Sequence, residues 1–480
     1  MTPRRTRHFR IAVLFAAAVL PSQAQDSRKV SEPAIPPACT VLQAKLGRAG
    51  SSIAFDDESK LDTARIQAAL DGCAPGHAVV LRRSAVRTDA FLSGPLDLRK
   101  GVALVVERGA YLYASRNPRD YDRTPGACGT IAPKGGGCRA LINGDNVAGA
   151  AVMGEGVIDG RGGESLLGQP LTWWNLADRA RKGGNQNNPR LIMLRHCDNF
   201  TLYRITLLNG PMLHVGFSNG NGFTAWGVRI WSPQRARNTD GIDPGSSSTN
   251  VTIAYCYIHT GDDQVAIKAG TGAPTTHLSI LHNHFYTGHG MSIGSETNGG
   301  ASAILVSDLS IDGADIGLHI KSDQTRGGLV QGVTYEDVCI RGTRDPVLME
   351  TSYAAYPATA DPPKDRLPEY RDITLRNVRV EGEGRVRLEG LDENHRLGMR
   401  FDNVVFDDPS KIGLSVRHAA VTVGPGPFNL VLQGLVLQGL VLQGLDLQDL
   451  DVHGLVRVEG MPARVSPNAC EAKFVPFPLE

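Results

Sequence analysis

The feature that most constrains this chain of 480 residues is a repeat of short apolar runs at near-regular intervals. Each run is followed about five residues later by a second apolar anchor, and successive anchors are 23, 28, 27, 26, 29, 40 and 26 residues apart. The anchors are Leu207, Ile230, Ile258, Phe285, Ile311, Ile340, Val380 and Phe406. A period in this range is typical of a solenoid, in which one unit buries its apolar face only against its neighbours.

The runs alternate apolar with polar residues and are rich in β-branched side chains, as in Asn250-Val251-Thr252-Ile253. This pattern predicts strands rather than helices. We therefore predict an all-β fold, a right-handed parallel β-helix of roughly ten coils. The repeat predicts that residues 25–480 form a single domain.

Both ends of the solenoid have features of their own. Residues 62–73 predict an amphipathic α-helix, with Asp62 as its N-cap, that covers the open N-terminal end. Towards the other end, residues 431–455 hold five pentads, of which the first three are Val-Leu-Gln-Gly-Leu. A pentapeptide-type coil or a partner surface is one interpretation, and we favour a tandem duplication tolerated at the end of the solenoid.

Residues 1–24 combine four arginines, an apolar run from Ile11 to Leu20, and small residues before Gln25. This order is typical of a secretory signal peptide, and the run is about half the length that a bilayer span needs. We therefore predict an exported, extracellular protein without a membrane anchor. Removal of the four arginines leaves a formal charge of 1 − 4 = −3, and no long basic run follows, which argues against a nucleic-acid partner.

An exported chain can form disulfides, and this one has eight cysteines. Cys39–Cys73 would fasten the capping helix, and Cys128–Cys138 would close a glycine-rich loop of ten residues. Cys470 remains unassigned. Three further cysteines lie in strand-like runs and are predicted to be free and buried: Cys197, Cys256 and Cys339.

Polar clusters interrupt the apolar repeat about once in each coil. Their central residues, Asp240, Asp262, His289, Lys321 and Tyr353, are 22, 27, 32 and 32 residues apart. Residues one coil apart lie on neighbouring strands, about 4.8 Å from each other. We therefore predict one column of polar side chains on one face of the solenoid.

With Asp263, that column holds three carboxylates beside histidine, lysine and tyrosine. Carboxylates packed this closely cannot all ionise easily, so one can serve as an acid while others remain bases. Glycoside hydrolysis requires this division of roles. Three aspartates could instead bind calcium, but His289 and Lys321 argue against a cation site. We predict neither a metal nor a cofactor.

Several segments carry a family resemblance: Phe91–Leu96, Gly156–Gly160, Phe223–Trp226, Asn238–Pro244 and Gly288–Thr297. From Cys39 to about Phe406 the chain resembles the polygalacturonases of glycoside hydrolase family 28, in particular those secreted by pectin-degrading bacteria. The resemblance implies a monomeric endo-acting enzyme that hydrolyses the α-1,4-galacturonosyl linkages of polygalacturonan with inversion.

The resemblance also implies roles for the carboxylates. Asp262 matches the general acid of the family, and Asp240 and Asp263 match the pair that holds and deprotonates the attacking water. His289 would sustain the protonation state of the acid. For the substrate, the resemblance implies that Lys321 grips a uronate carboxylate, with Tyr353 and Asn238 shaping the same region.

One position departs from the family, which normally has arginine two residues before the lysine where this chain has His319. Histidine holds a carboxylate through charge only when it is protonated. We therefore expect His319 to bind substrate with a pKa raised by its carboxylate partner, and substrate affinity to weaken above about pH 6.5.

Other functions fit parts of the pattern. An exo-acting polygalacturonase or a rhamnogalacturonan hydrolase would use the same scaffold, but no large insertion closes the groove. A non-catalytic carbohydrate-binding β-helix would not need the aspartates, and a pectate lyase would use calcium. Three basic residues near the column could line the groove or form salt bridges: Arg235, Arg237 and Lys268.

Overall fold

The computed structural model describes residues 25–353, 366–424 and 469–478, with shorter stretches at 426, 428–429, 431–432, 435–436 and 456–458. The predicted signal peptide, residues 1–24, lies outside the described residues, as does most of the 431–455 pentad repeat. Within the described ranges, no helix is long and apolar enough to cross a membrane.

Strands make up nearly all of the regular secondary structure in the described part of the chain. They are β1 (Ala38–Gln43), β2 (Arg48–Ala49), β3 (Ser52–Ile53), β4 (His77–Arg82), β5 (Ala90–Ser93), β6 (Leu96–Asp97), β7 (Val102–Val106), β8 (Tyr111–Ala114), β9 (Ile131–Ala132), β10 (Ile142–Asp145), β11 (Ala151–Met153), β12 (Val157–Asp159), β13 (Asn185–Gln186), β14 (Ile192–Arg195), β15 (Phe200–Tyr203), β16 (Thr206–Leu208), β17 (Val215–Ser218), β18 (Asn221–Trp226), β19 (Arg229–Trp231), β20 (Ile242–Pro244), β21 (Thr249–Ala254), β22 (Tyr257–His259), β23 (Val265–Ile267), β24 (Thr275–Phe285), β25 (Met291–Gly294), β26 (Ala301–Asp312), β27 (Ile316–Lys321), β28 (Leu329–Arg341), β29 (Asp345–Glu350), β30 (Glu369–Glu381), β31 (Gly384–Glu389), β32 (Leu397–Phe406), β33 (Ile412–Arg417), β34 (Ala419–Val423), β35 (Val431–Leu432), β36 (Leu435–Val436) and β37 (Val456–Val458). The α-helices are α1 (Thr63–Gly72) and α2 (Trp173–Ala180), and 3-10 turns lie at Phe55–Asp57, Pro118–Tyr121 and Pro409–Lys411.

These strands stack into parallel sheets that wind around one core. Eleven of them form the sheet that we call the site sheet: β6, β10, β14, β17, β20, β23, β25, β27, β29, β31 and β33. A second face runs from β1 and β4 to β34, and a third, begun by β5 and β8, merges into the second from β24 onward. The right-handed parallel β-helix predicted from the repeat is confirmed.

The core of the solenoid consists of apolar side chains stacked in register. Leu207 pairs with Ile230, Ile230 with Ile258, and the column continues through each of the other predicted anchors to Phe406. All eight anchors are at most 1% exposed. Burial of each such side chain contributes about 1.5–3 kcal/mol relative to exposure, so the stacking of coils supplies most of the stability.

From β24 onward, long strands turn from one face to the next at a residue with positive φ. In three successive coils these corner residues are Asp337, Asn377 and Asn403, with φ of 55°, 52° and 60°. Asparagine and aspartate tolerate this left-handed conformation better than most residues. Asn377 Nδ2 donates to Asp337 Oδ1 at 2.9 Å, and Asn403 Nδ2 donates to Asn377 Oδ1 at 2.9 Å, so the corners are joined by a polar ladder.

The predicted cap is present as α1, which buries Ile66 and Leu70 completely. The predicted role of Asp62 is wrong in its detail. Asp62 precedes the helix, but its side chain caps no backbone N–H and instead accepts hydrogen bonds from Arg65, which lies one turn along. An arginine at this spacing competes for the carboxylate.

The predicted disulfides Cys39–Cys73 and Cys128–Cys138 are confirmed. Cys197 and Cys256 are free and buried, also as predicted. The prediction for Cys339 is wrong, because it forms a disulfide with Cys470, 131 residues away, with the two Cα atoms 5.6 Å apart. Only the return of the C-terminal segment along the solenoid brings these two cysteines together.

Candidate active site

The site sheet places part of the predicted column in one row. Ile242, Val265 and Met291 pair in register on β20, β23 and β25, with their side chains in the core. Asp240 and His289 each lie two residues before one of these positions. The corresponding residue before Val265 is Asp263, not Asp262, from which the predicted column was counted. The three residues therefore share a row at the start of the strands, about one strand spacing apart.

Lys321 does not belong to that row, so the single predicted column is wrong in part. It pairs in register with Gly294, at the far end of β25 from His289. The long side chain brings its ammonium group back to the carboxylates, with Nζ 2.8 Å from Asp263 Oδ2. Counting residues between coils could not reveal this shift, because the extra residues lie in the connections.

Asp263 lies at the centre of the site, with a side chain that is 1% exposed. Its carboxylate accepts two hydrogen bonds from Lys321 and a third from Ser292 Oγ at 2.6 Å. Ser292 was not singled out from the sequence. Burial alone would raise the pKa of Asp263, but the charges of Lys321, Lys268 and His289 together outweigh it and the pKa is lowered. Asp263 is therefore an anion held by a buried cation.

Asp262 forms an ion pair with His289, with 3.1 Å between Oδ1 and Nδ1. Its Oδ2 accepts from the backbone N–H of Asn238 at 3.2 Å. Burial would raise the pKa of Asp262, but the hydrogen bond and charge of His289 and the charge of Lys321 more than offset it, so the pKa is lowered. The pKa of His289 is raised in turn: burial would lower it, but the hydrogen bond and charge of Asp262, together with the charge of Asp263, outweigh that effect.

Asp240 has the opposite electrostatic environment. Burial and then the charge of Asp262 raise the pKa of Asp240 well above its ordinary value. In the free protein the electrostatics therefore favour protonation of Asp240 over Asp262, whereas the family resemblance implies that Asp262 is the acid. Burial also raises the pKa of the neighbouring Asp243 to about 7. Asp243 was not singled out, although it lies within the Asn238–Pro244 motif.

Cations surround the carboxylates on the same face. Lys268, which follows β23, faces the site: burial would lower its pKa, but the charges of Asp243 and Asp240 raise it. Arg190 lies two strands from Asp240 in register, and burial and the charge of Arg195 lower its pKa. Arg190 was not singled out from the sequence, because it lies outside the repeated polar clusters.

The other two basic candidates have different environments. Arg237 Nη1 donates to the backbone oxygen of Ala177 in α2 at 3.0 Å, so it fastens that helix to the solenoid. Arg235 is exposed. Asn238 joins the site through its backbone, and its side-chain oxygen accepts from Gln186 Nε2 at 2.9 Å.

His319 is buried, which contradicts the expectation of a protonated, substrate-gripping histidine. It is 1% exposed, and its Nε2 lies 3.0 Å from Glu350 Oε1. Burial and then the charge of Lys321 lower the pKa of His319 well below its ordinary value, so the nearby carboxylate does not dominate. His319 Nδ1 is buried and has no hydrogen-bond partner among the described residues.

Tyr353 lies beside these residues, as predicted. Its ring is 6.1 Å from the His319 ring in an edge-on arrangement, and Lys321 Nζ lies 5.1 Å from its centre. Tyr353 therefore stands over Lys321 Nζ, which the lysine side chain brings back beside Asp263. This position fits a side chain that shapes the region around the lysine.

A metal site was considered because ligand atoms of Asp262, Asp263 and His289 lie within 4.8 Å of one another. In the structure these oxygens already have cationic partners: Lys321 bonds both oxygens of Asp263, and His289 bonds Asp262. A calcium ion would have to compete with both cations for its oxygen ligands. The arrangement instead suits proton transfer between carboxylates of different pKa.

The sequence profile of glycosyl hydrolases family 28 matches residues 129–421. The chain belongs to this family. A relative described as an endo-polygalacturonase of Pectobacterium parmentieri is 44% identical over 383 residues, covering 79% of this chain and 90% of that protein. A polygalacturonase of Ralstonia solanacearum is 38% identical over 432 residues, covering 79% of this chain and 80% of that protein.

Family 28 membership extends to the three-dimensional structure. The solved structure of a polygalacturonase from Erwinia carotovora ssp. carotovora superposes with a TM-score of 0.75 at 42% identity, covering 83% of this chain and all of that one. An exopolygalacturonase from Thermotoga maritima shares only the fold, with a TM-score of 0.63 at 19% identity. The family resemblance predicted from the motifs is thus confirmed.

Proposed function

We propose that this family 28 chain is a secreted endo-polygalacturonase that hydrolyses the α-1,4-galacturonosyl linkages of polygalacturonan. The observation that carries the proposal is a buried trio of carboxylates with divergent pKa values: Asp240 raised, and Asp262 and Asp263 lowered. Such a split provides an acid and a base within one site. The named relatives support the same activity.

In the proposed reaction Asp262 protonates the glycosidic oxygen, and Asp240 and Asp263 orient and deprotonate the attacking water. A single displacement of this kind inverts the anomeric carbon. Because the pKa of Asp240 is raised and that of Asp262 is lowered in the free protein, Asp240 must lose its proton and Asp262 must gain one before the bond breaks.

Substrate binding supplies a reason for the protonation of Asp262. His289 and Lys321 lower the pKa of Asp262 in the free protein. A uronate carboxylate placed beside these cations would offset their charge, and the pKa of Asp262 would then rise. The substrate itself would thus convert Asp262 into an acid, which limits the acid form to occupied enzyme.

Recognition of a polyuronate fits the cations of the site sheet. Lys268 and Arg190 lie on the carboxylate side, and Lys321 lies beneath Tyr353. A chain with one carboxylate on every sugar can place negative charge along several strands of the sheet at once. A neutral polysaccharide would offer these cations no further negative charge.

Secretion is supported by the covalent structure. Three disulfides join residues of the described chain, and disulfides persist mainly in oxidising compartments. The predicted signal peptide at residues 1–24 agrees with that location.

The proposal is tested with purified mature protein, polygalacturonate and EDTA. A rapid loss of viscosity with few new reducing ends supports endo cleavage, and proton NMR of early products reports the anomeric configuration. Asp262→Asn should lower kcat about 100-fold or more while leaving substrate binding intact. Retained turnover in Asp262→Asn, or products that absorb ultraviolet light as unsaturated uronides, would contradict the proposal.

A further inference from the structure

The C-terminal residues 469–478, which we call the strap, run back along the outside of the solenoid. The strap is anchored by the Cys339–Cys470 disulfide on β28. Lys473 then contacts Asp308 on β26, and the backbone oxygen of Val475 accepts from Tyr286 OH at 3.0 Å. The strap therefore crosses the coils in reverse order, from β28 to β26 and then to the end of β24, towards the coils that carry the site.

The strap ends against two rings that immediately precede the active-site turns. The ring of Phe477 meets Tyr286 edge-on at 5.4 Å and His259 edge-on at 6.2 Å, centre to centre. His259 is three residues before Asp262, and Tyr286 is three residues before His289. The Phe477 side chain thus contacts both segments that lead into the Asp262–His289 ion pair.

Polar contacts continue from His259 to Asp262. Thr287 Oγ1 lies 3.3 Å from His259 Nε2 and 3.2 Å from the backbone oxygen of Thr260. Thr260 Oγ1 donates to the backbone oxygen of Asp262 at 2.8 Å. The orientation of the His259 ring is therefore linked to the backbone that carries the carboxylate.

A parallel connection leads from Tyr286 to His289. Gln264 is completely buried, and its Nε2 donates to the backbone oxygen of Tyr286 at 2.6 Å. Gln264 Oε1 accepts from the backbone N–H of Gly290, which follows His289. The backbone N–H of His289 donates to the oxygen of Asp262 at 3.0 Å, which closes the network.

We infer that the strap is a positioning element for the reaction, with Phe477 holding the two turns so that the Asp262–His289 contact keeps its geometry. The inference rests on the proposed function, since it assigns the pair a role in turnover. A displacement of about 1 Å in a reacting group can lower a rate about 100-fold. A clamp on both turns would prevent such displacement when a charged substrate enters.

The electrostatics of His289 provide a readout that does not depend on turnover. Four groups face it: Asp262 and Asp263, which raise its pKa, and Lys321 and His319, the first of which lowers it. If the turns separate, the contact with Asp262 weakens more than the others, because it is the shortest. The pKa of His289 should then fall towards about 6.5.

The test compares Phe477→Ala with Phe474→Ala in the full chain. Phe474 lies in the same strap but packs under Arg341, 4.2 Å from its Cζ, away from the turns. We expect Phe477→Ala to lower kcat about tenfold with KM changed less than about twofold, and to lower the pKa of His289 measured by NMR. We expect Phe474→Ala to change neither the rate nor this pKa.

Equal effects of the two variants, or an unchanged pKa of His289 in Phe477→Ala, would overturn the inference. If circular dichroism shows that Phe477→Ala does not fold, Tyr286→Phe decides, because it removes only the hydrogen bond to Val475. A lowered pKa of His289 then supports the strap, and an unchanged one overturns it. Activity retained in Asp262→Asn would overturn the proposed function instead, and the NMR result would still test the strap.

Discussion

Lys321 Nζ lies 2.8 Å from Asp263 Oδ2, and both side chains are almost completely buried. Lys321 lies at the end of β27, and Asp263 lies in the turn before β23. Their Cα atoms are therefore at opposite ends of the strands. Lys321 therefore serves first to hold an ionised aspartate in a buried site. Its proposed contact with a substrate carboxylate would have to share the same ammonium group.

We expect Lys321→Met to destabilise the protein by about 3–5 kcal/mol, because it leaves the charge of Asp263 buried without its partner. The double variant Lys321→Met with Asp263→Asn should recover part of this loss, since no uncompensated charge remains. Denaturant unfolding at pH 6 measures both. Additive effects of the two substitutions would contradict the coupling.

The same pair predicts how stability depends on pH. The pKa of Asp263 is lowered in the folded state, so its contribution is present above the unfolded value of about 3.9 and is lost as pH falls through the folded value. Asp263→Asn should therefore be clearly destabilising at pH 6 and much less so near pH 3. Free energies of unfolding of both proteins at the two pH values give the answer, and an equal difference at both would refute the prediction.

The burial of His319 reverses the behaviour expected from the sequence. Its pKa is lowered well below 6.5, so it should stay neutral between pH 5 and pH 8. We expect KM against pH to have the same shape in the wild type and in His319→Gln, which keeps a neutral donor towards Glu350. A rise in KM near pH 6.5 that disappears in His319→Gln would restore the earlier hypothesis.

The thiols of Cys197 and Cys256 should be unreactive in the native protein. Burial raises the pKa of both, that of Cys256 to about 12, and the thiolate is the reactive form. A thiol reagent should detect none in the native protein and two after unfolding without reductant. Four thiols after unfolding would show that one of the three disulfides is not formed.

The fold, and the places of Asp240 and His289 in one row of the site, were predicted correctly from the sequence. The eight apolar anchors from Leu207 to Phe406 recur with the period of a coil, and every one of them is buried in the core. Asp240, Asp263 and His289 keep the same phase relative to the strands that follow them. Such periodic information is local, since a β-helix repeats the same strand geometry in each coil.

Other features of the site became visible only in the three-dimensional structure. They depend on how far side chains reach and on what covers them. The length of the connections moved Lys321 along its strand, and packing beneath Tyr353 buried His319 and lowered its pKa. The returning strap paired Cys470 with Cys339. The raised pKa of Asp240 follows from its burial and from the charges of groups on neighbouring coils, and no spacing in the sequence records these effects.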